Sequence, residues 1–398
     1  MIIISTVALY IHIPFCAKKC GYCDFYSLAG SDALKEAYAS ALIRQIEEYA
    51  IPARGITVES VYIGGGTPSE IGIPRLHEII KRVKKLYTLA NNAEFTVEVN
   101  PGAIDPAGLK KLYKDGVNRL SVGIQSAHES ELRYLGRRHT FSDAVRCIED
   151  AKTTGFKNIS VDLMYAVPGQ SADSFIESVK RVLELEPAHI SLYGLKIEPG
   201  TLFHKNLDKI VPYLPNEETE RTMYMYGSQI LAEAGLRKYE ISNFAKPGAE
   251  CRHNLRYWHC GEYIGLGAAA HSYFGGTRYS FAKNVKHYIS HLNTNAEALE
   301  KVDIFDKERY SLFDEYTEIS PSERIGEFVM LGFRLVGGID VNQFAQRFRR
   351  DFDDMYLDKM RPFLASGHIV KTVSGYALTD DGMMISNYIL SRIIDFDG

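Results

Sequence analysis

Tryptophan occurs once in this chain of 398 residues, at Trp258, and cysteine only six times. So few thiols over such a length exclude the dense disulfide framework of a small secreted domain. Three of them crowd into residues 16–23, while Cys147, Cys251 and Cys260 are scattered. That usage points to a reducing compartment. Excess charge is missing too. A formal net charge of −4 lacks the basic balance of an electrostatic nucleic-acid binder, so no nucleic-acid partner is expected. No apolar run is long enough to span a bilayer. The opening Met-Ile-Ile-Ile also lacks the basic start and long apolar stretch of a secretory signal. The expected location is therefore cytoplasmic. What remains is ordinary globular composition, 24% charged and 45% hydrophobic. The length suits two or three domains, or one large barrel with an appendage.

The first half alternates β-rich runs with helix-patterned segments. The runs are 7–13, 60–64, 94–100, 119–124, 158–165 and 189–195. The segments 32–49, 73–86, 105–114, 142–153 and 171–185 carry apolar residues at helical spacing. Gly116 and Gly155 stand where a helix should stop before the next strand. Such a series predicts parallel strands with right-handed crossovers, hence a partial or full parallel β/α barrel, with a doubly wound sheet as the alternative. The barrel is favoured because unusual residues gather at the C-terminal end of each run. These are the cysteines, Gly64-Gly65-Gly66-Thr67-Pro68, Glu98-Val-Asn100, Gly123-Ile-Gln125, Asp162 to Tyr165, and Tyr193. Barrel active sites are built at that end.

Cys16, Cys20 and Cys23 form C-x3-C-x2-C directly after the first run. Three thiolates so close suit a single soft-metal centre. A cubane iron–sulfur cluster held by three of them leaves one iron open to another ligand. The same spacing admits a structural zinc site with His12 as fourth ligand, or a redox Cys20-x-x-Cys23 pair. Glu98, Gln125 and Asp162 are polar residues in or closing apolar strands. Each either braces a loop or faces a polar ligand. The glycine turn at 64–67 lets backbone approach a ligand, but no Lys-Ser/Thr follows to make a phosphate loop.

The cysteine motif after a strand, and more specifically Tyr10-Ile-His-Ile-Pro-Phe-Cys16, resembles the radical S-adenosylmethionine (SAM) superfamily. Within it, the similarity is to the branch of oxygen-independent coproporphyrinogen III oxidases and their heme-chaperone relatives. The resemblance implies that Cys16, Cys20 and Cys23 hold a [4Fe–4S] cluster whose unique iron binds the amino and carboxylate groups of SAM. It implies that Gly65, Gly66 and Thr67 contact the SAM amino group through backbone, and that Glu98, Gln125 and Asp162 also contact SAM. Arg137 would meet the SAM carboxylate, and Tyr10 and Tyr22 would lie beside the cluster and SAM.

Three features favour the chaperone side of that branch. Phe25 stands where the oxidases carry a fourth cysteine, only 15 residues precede Cys16, and His253-Asn-Leu-Arg-Tyr257-Trp258 matches an H-N-x-x-Y-W string associated there with heme. The implied function is a heme chaperone with His253 as candidate heme ligand, handing heme to acceptor hemoproteins such as respiratory-chain enzymes. The alternative is oxidative decarboxylation of coproporphyrinogen III by radical chemistry. By the residues alone, 251–260 reads as a packed loop around a buried Trp258. A homodimer and transient contact at a membrane face are compatible with the family but have no residue behind them.

The expected domains are the barrel core at 1–235, an extension at 236–300 with the H-N-x-x-Y-W string, and a winged-helix-like α+β domain at 301–398. A linker is expected over 290–320. Helices are expected at 324–335 and 341–352, then a hairpin through Ser374-Gly375 and a last helix capped by Thr379 or Asp380. Residues 301–398 hold 12 Lys and Arg against 17 Asp and Glu, a balance that argues against DNA as the target of this winged-helix-like unit.

Overall fold

The structure is a computed structural model and describes residues 5–294 and 311–394. Six strands, β1 (Thr6–Ile13), β2 (Thr57–Gly65), β3 (Thr88–Val99), β4 (Arg119–Gln125), β5 (Asn158–Tyr165) and β6 (His189–Gly194), lie side by side in sequence order. Every neighbouring pair among them is parallel. A doubly wound sheet reverses its order at a switch point. This one does not, so right-handed crossovers wind in one sense and make a barrel wall. Helices α1 (Asp32–Tyr49), α2 (Ile73–Leu86), α3 (Pro106–Asp115), α4 (Glu129–Leu135), α5 (Phe141–Thr154) and α6 (Ala172–Leu183) fill the crossovers.

The periodicity works because each helix also has a stop and a start. Ser31, Thr140 and Ser171 cap the N-termini of α1, α5 and α6 with their hydroxyls. Gly155 ends α5 at φ 117°, a backbone that a side chain would strain.

The wall is partial. On one side β1 pairs in parallel with β9 (Tyr263–Leu266), after which β10 (His271–Phe274), β11 (Thr277–Phe281) and β12 (Phe313–Glu318) follow antiparallel. On the other, β6 pairs antiparallel with β8 (Asn243–Ala245), and β8 with β7 (Arg237–Lys238). The linker expected over 290–320 is therefore not one throughout. Helix Val285–Thr294 enters it and β12 belongs to the large sheet, while residues 295–310 lie outside the described residues.

Beyond β12, helices Pro321–Gly332, Val341–Phe348 and Phe352–Ala365 pack with a three-stranded antiparallel sheet, β13 (Ile339–Asp340), β15 (Gly375–Leu378) and β14 (Ile369–Lys371). They share a separate core that includes Phe328, Phe344, Phe352 and Met360. The helix expected at 341–352 breaks because Arg349 takes a left-handed backbone, φ 56°. This unit is stitched to the barrel by Ile241 N–H to the Arg334 carbonyl and Val336 N–H to the Tyr239 carbonyl, both 3.0 Å. Arg278 of β11 also forks onto Glu327, with Nη2 to Oε2 at 3.0 Å. No helix among the described residues is long and apolar enough to cross a membrane.

Candidate functional site: a cysteine-lined cavity at the C-terminal ends of the strands

The loop after β1 is held from three sides. Cys16 N–H donates to the Leu28 carbonyl (3.1 Å), Gly21 N–H to Leu135 (3.2 Å), and Phe203 N–H to the Gly21 carbonyl (2.9 Å). The glycine turn after β2 locks onto the same loop. Gly66 N–H donates to the Ile13 carbonyl (2.9 Å) and Thr67 N–H to the Phe15 carbonyl (2.7 Å). A Cβ on Gly66 would stand 2.5 Å from that Phe15 oxygen, and one on Gly64 2.7 Å from the Glu98 carboxyl carbon. The turn has no room for side chains, which is why the sequence there is glycine.

From this frame a chain of polar contacts crosses the strand ends. Thr67 Oγ1 lies 3.6 Å from Cys16 Sγ and accepts from Asn100 Nδ2 at 2.7 Å. Arg137 Nη2 donates to Asn100 Oδ1 (2.7 Å) and to the Gly123 carbonyl (2.6 Å), with Nη1 3.9 Å from Cys20 Sγ. Glu98 accepts from the Tyr62 hydroxyl (2.9 Å) and from Gly65 N–H (3.0 Å). Burial, with Asp162 adding, pushes the Glu98 pKa up to about 7, against the pull of those two donors. Asp162 is half-buried, its pKa is raised by the same cause, and Ser121 Oγ donates to it at 3.4 Å. Gln125 closes β4 at φ 72°, where the pairing with β5 shifts register.

These residues enclose a cavity of about 360 Å3. It is lined by Cys16, Cys20, Cys23, Tyr22, Gly65, Gly66, Thr67, Glu98, Gln125, Arg137, Asp162 and, from β6, Tyr193, so the C-terminal ends of six different strands converge there. All three thiols are free. Burial pushes the Cys23 thiol up to about 11, so thiolate there calls for a cation to balance it. The donor set fits a thiolate-bound cluster, and the Arg137 Nε, buried with no partner among the described residues, fits an anionic group beside it. Among the described residues no trio of His, Cys, Asp and Glu side chains is closed to metal-ligating spacing.

Three expectations fall elsewhere. Tyr10 does not line the cavity. Its ring stacks on Tyr62 at 6.3 Å and its hydroxyl lies 2.9 Å from His12 Nδ1. His12, considered above for zinc, has its other nitrogen 2.9 Å from the Tyr26 carbonyl and is buried, which lowers its pKa to about 4. It packs the strand rather than facing the thiols. His253 is 1% exposed, with Nδ1 2.9 Å from Ser60 Oγ and Nε2 2.7 Å from the Tyr257 hydroxyl. In this arrangement it has no free ring nitrogen to offer a ligand. The segment around it is helix Arg252–Trp258, not a loop, and Trp258 is half-buried rather than buried.

Residues 10–182 match the model of the Radical SAM superfamily, and residues 319–385 that of the HemN C-terminal domain. Heme chaperone HemW of Bacillus subtilis (strain 168) is 33% identical, over 97% of this chain and 98% of its own. The chain belongs to the HemW family. Heme chaperone HemW of Escherichia coli (strain K12) is 32% identical, over 99% of this chain and 100% of its own. Coproporphyrinogen III oxidase (HemN) from Escherichia coli, a solved radical SAM enzyme, shares the fold at a TM-score of 0.84 and 22% identity, over 99% of this chain and 91% of that one. Membership of this radical SAM family implies a [4Fe–4S] cluster and SAM.

Several lining residues escape sequence reasoning. Asn100 couples Thr67 to Arg137, Tyr62 holds Glu98, and Arg119 is a fully buried arginine at the start of β4. Arg119 left a signal, since it is a lone cation opening a strand whose seven residues are all buried. Tyr62 left none, and Asn100, just past the end of β3, stood out only as one of the unusual residues at the strand ends.

Proposed function

We propose that the chain is a heme chaperone that binds heme and delivers it to acceptor hemoproteins such as respiratory-chain enzymes. In this reading Cys16, Cys20 and Cys23 hold the [4Fe–4S] cluster. Gly65, Gly66, Thr67, Glu98, Gln125, Arg137 and Asp162 hold SAM, with Tyr22 beside it. When bound, cluster and SAM would supply the redox chemistry of the superfamily. The protein's part is to orient them: Arg137 offers a fixed cation to a carboxylate, Glu98 and Asp162 offer acceptors to hydroxyl and amino groups, and the glycine turn offers bare backbone. The observation that carries the reading is the full-length match to relatives named heme chaperone HemW. Phe25, 64% exposed at the cavity mouth, adds to it, because the oxidases carry a cysteine there.

The second reading, decarboxylation of coproporphyrinogen III, is favoured only by the likeness of fold to HemN. An anaerobic heme titration of reconstituted protein, with coproporphyrinogen turnover assayed on the same sample, separates the two. Stoichiometric heme binding without turnover is expected. Turnover with only weak heme binding would overturn the chaperone reading.

A further inference from the structure

A second cavity, of about 1180 Å3, opens at the other end of the strands, where Ser5, Thr6 and Glu59 lie near the N-terminal ends of β1 and β2. From Glu59 to Gly65 along β2 is about 20 Å at ~3.3 Å per residue, so the two cavities sit at opposite ends of the barrel wall. Helix Arg252–Trp258 lies between them. Its Asn254 lines the cysteine cavity, and its Arg252, Leu255 and Arg256 line the second. The far wall comes from the C-terminal unit.

The chemistry of the second cavity is two-sided. Leu255, Ile325, Phe348, Met355 and Ile394 give it apolar surface. Arg324 and Arg350 line it as well, and neither makes an ion pair or a side-chain hydrogen bond among the described residues. At the end of the helix stands His259, exposed, with neither ring nitrogen hydrogen-bonded among the described residues. Its position is fixed by Arg347, which donates to the His259 carbonyl at 3.0 Å and the Cys260 carbonyl at 2.8 Å. Apolar walls, uncommitted guanidiniums and a free imidazole together match a flat apolar macrocycle that carries carboxylates and a metal. The cysteine cavity is a poorer seat. At about 360 Å3 it stands near the low end of ligand pockets, ~300–1,000 Å3, and cluster and SAM already claim it.

We propose that heme is seated in this second cavity, its carboxylates toward Arg324 and Arg350 and its iron ligated by His259. The inference rests on the chaperone reading above.

The test is a hemin titration of the full-length, cluster-reconstituted protein, read in the Soret band. His259→Ala should shift the band and weaken binding by about tenfold. The pair Arg324→Glu and Arg350→Glu should weaken it by a similar factor, leaving cluster absorbance and SAM affinity as in the wild type. His259 and Arg350 are exposed and Arg324 is half-buried, so cluster absorbance and the urea midpoint are read on each variant to verify that barrel and C-terminal unit fold as in the wild type. In the wild type, saturating SAM should leave heme affinity within about twofold. Wild-type binding that all three substitutions leave unchanged, or heme displaced by SAM, would overturn the second seat while sparing the chaperone reading. A wild-type protein that binds no heme would overturn both.

Discussion

At the residue scale the site rests on atoms with no room to move. Gly66 is the tightest, because its missing Cβ would meet backbone oxygen rather than a side chain that can swing away. Gly66→Ala is therefore expected to cost about 1–3 kcal/mol, read as a lower urea midpoint, and to weaken SAM binding in calorimetry more than Gly337→Ala, where a Cβ would have nothing within 4 Å. The thiols are less negotiable. Cys16→Ala or Cys20→Ala should abolish the cluster, checked by iron content and visible absorbance, and full retention of either signal would refute the ligand assignment. These residues stood out in the sequence, because glycines and cysteines declare themselves by type. For His253 type alone says less. A histidine in a motif looks like a ligand, and only the placement of Ser60 and Tyr257 around it reveals that both nitrogens are engaged.

At the element scale, strands and helices of the first half were legible because two periodicities alternate and capping residues punctuate them. The C-terminal helices were less so. Nothing in the pattern of Val341–Phe348 and Phe352–Ala365 announces that Arg349 turns left-handed between them, since arginine carries no preference for that backbone. Arg349→Gly should relieve that conformation and raise stability by up to about 1 kcal/mol, measured by chemical denaturation. A second feature lies in the segment between β7 and β8. Burial of Glu240 raises its pKa to about 7, although Ser242 N–H donates to it. A carboxyl whose folded pKa exceeds its unfolded value of ~4.3 keeps its proton on folding. Its stabilising contribution is full below that unfolded value and declines as pH rises through 7. Unfolding free energy should thus fall between about pH 4.5 and 7, and Glu240→Gln should flatten that decline. An unchanged slope would assign the pH dependence to other groups.

At the scale of the whole molecule, the single-sense winding explains why a barrel reading won over a doubly wound sheet, and why residues distant in sequence meet in one cavity. Less legible was the return of the chain. Tyr263–Leu266 pairs with β1 and Phe313–Glu318 with β11, and no local pattern foretells pairing across so many residues. The C-terminal unit leans on the barrel through the Arg278 and Glu327 fork and the backbone bonds at Tyr239 and Ile241. Glu327→Ala should release that unit to limited proteolysis sooner, with cluster absorbance unaltered. The return of the chain also has a consequence in time. β1 leaves the ribosome before the rest of its sheet, yet one of its two partners, β9, is aligned through Ala8 with Tyr263. At synthesis rates of ~5–20 residues per second, that partner follows by roughly 10–50 s. Throughout that interval the three thiols trail a strand with one open edge, unsheltered by the finished wall. In the proposed reading, the slower the translation, the longer Cys16, Cys20 and Cys23 stand open to oxidants and stray metal ions, and the smaller the fraction of chains expected to take up a cluster.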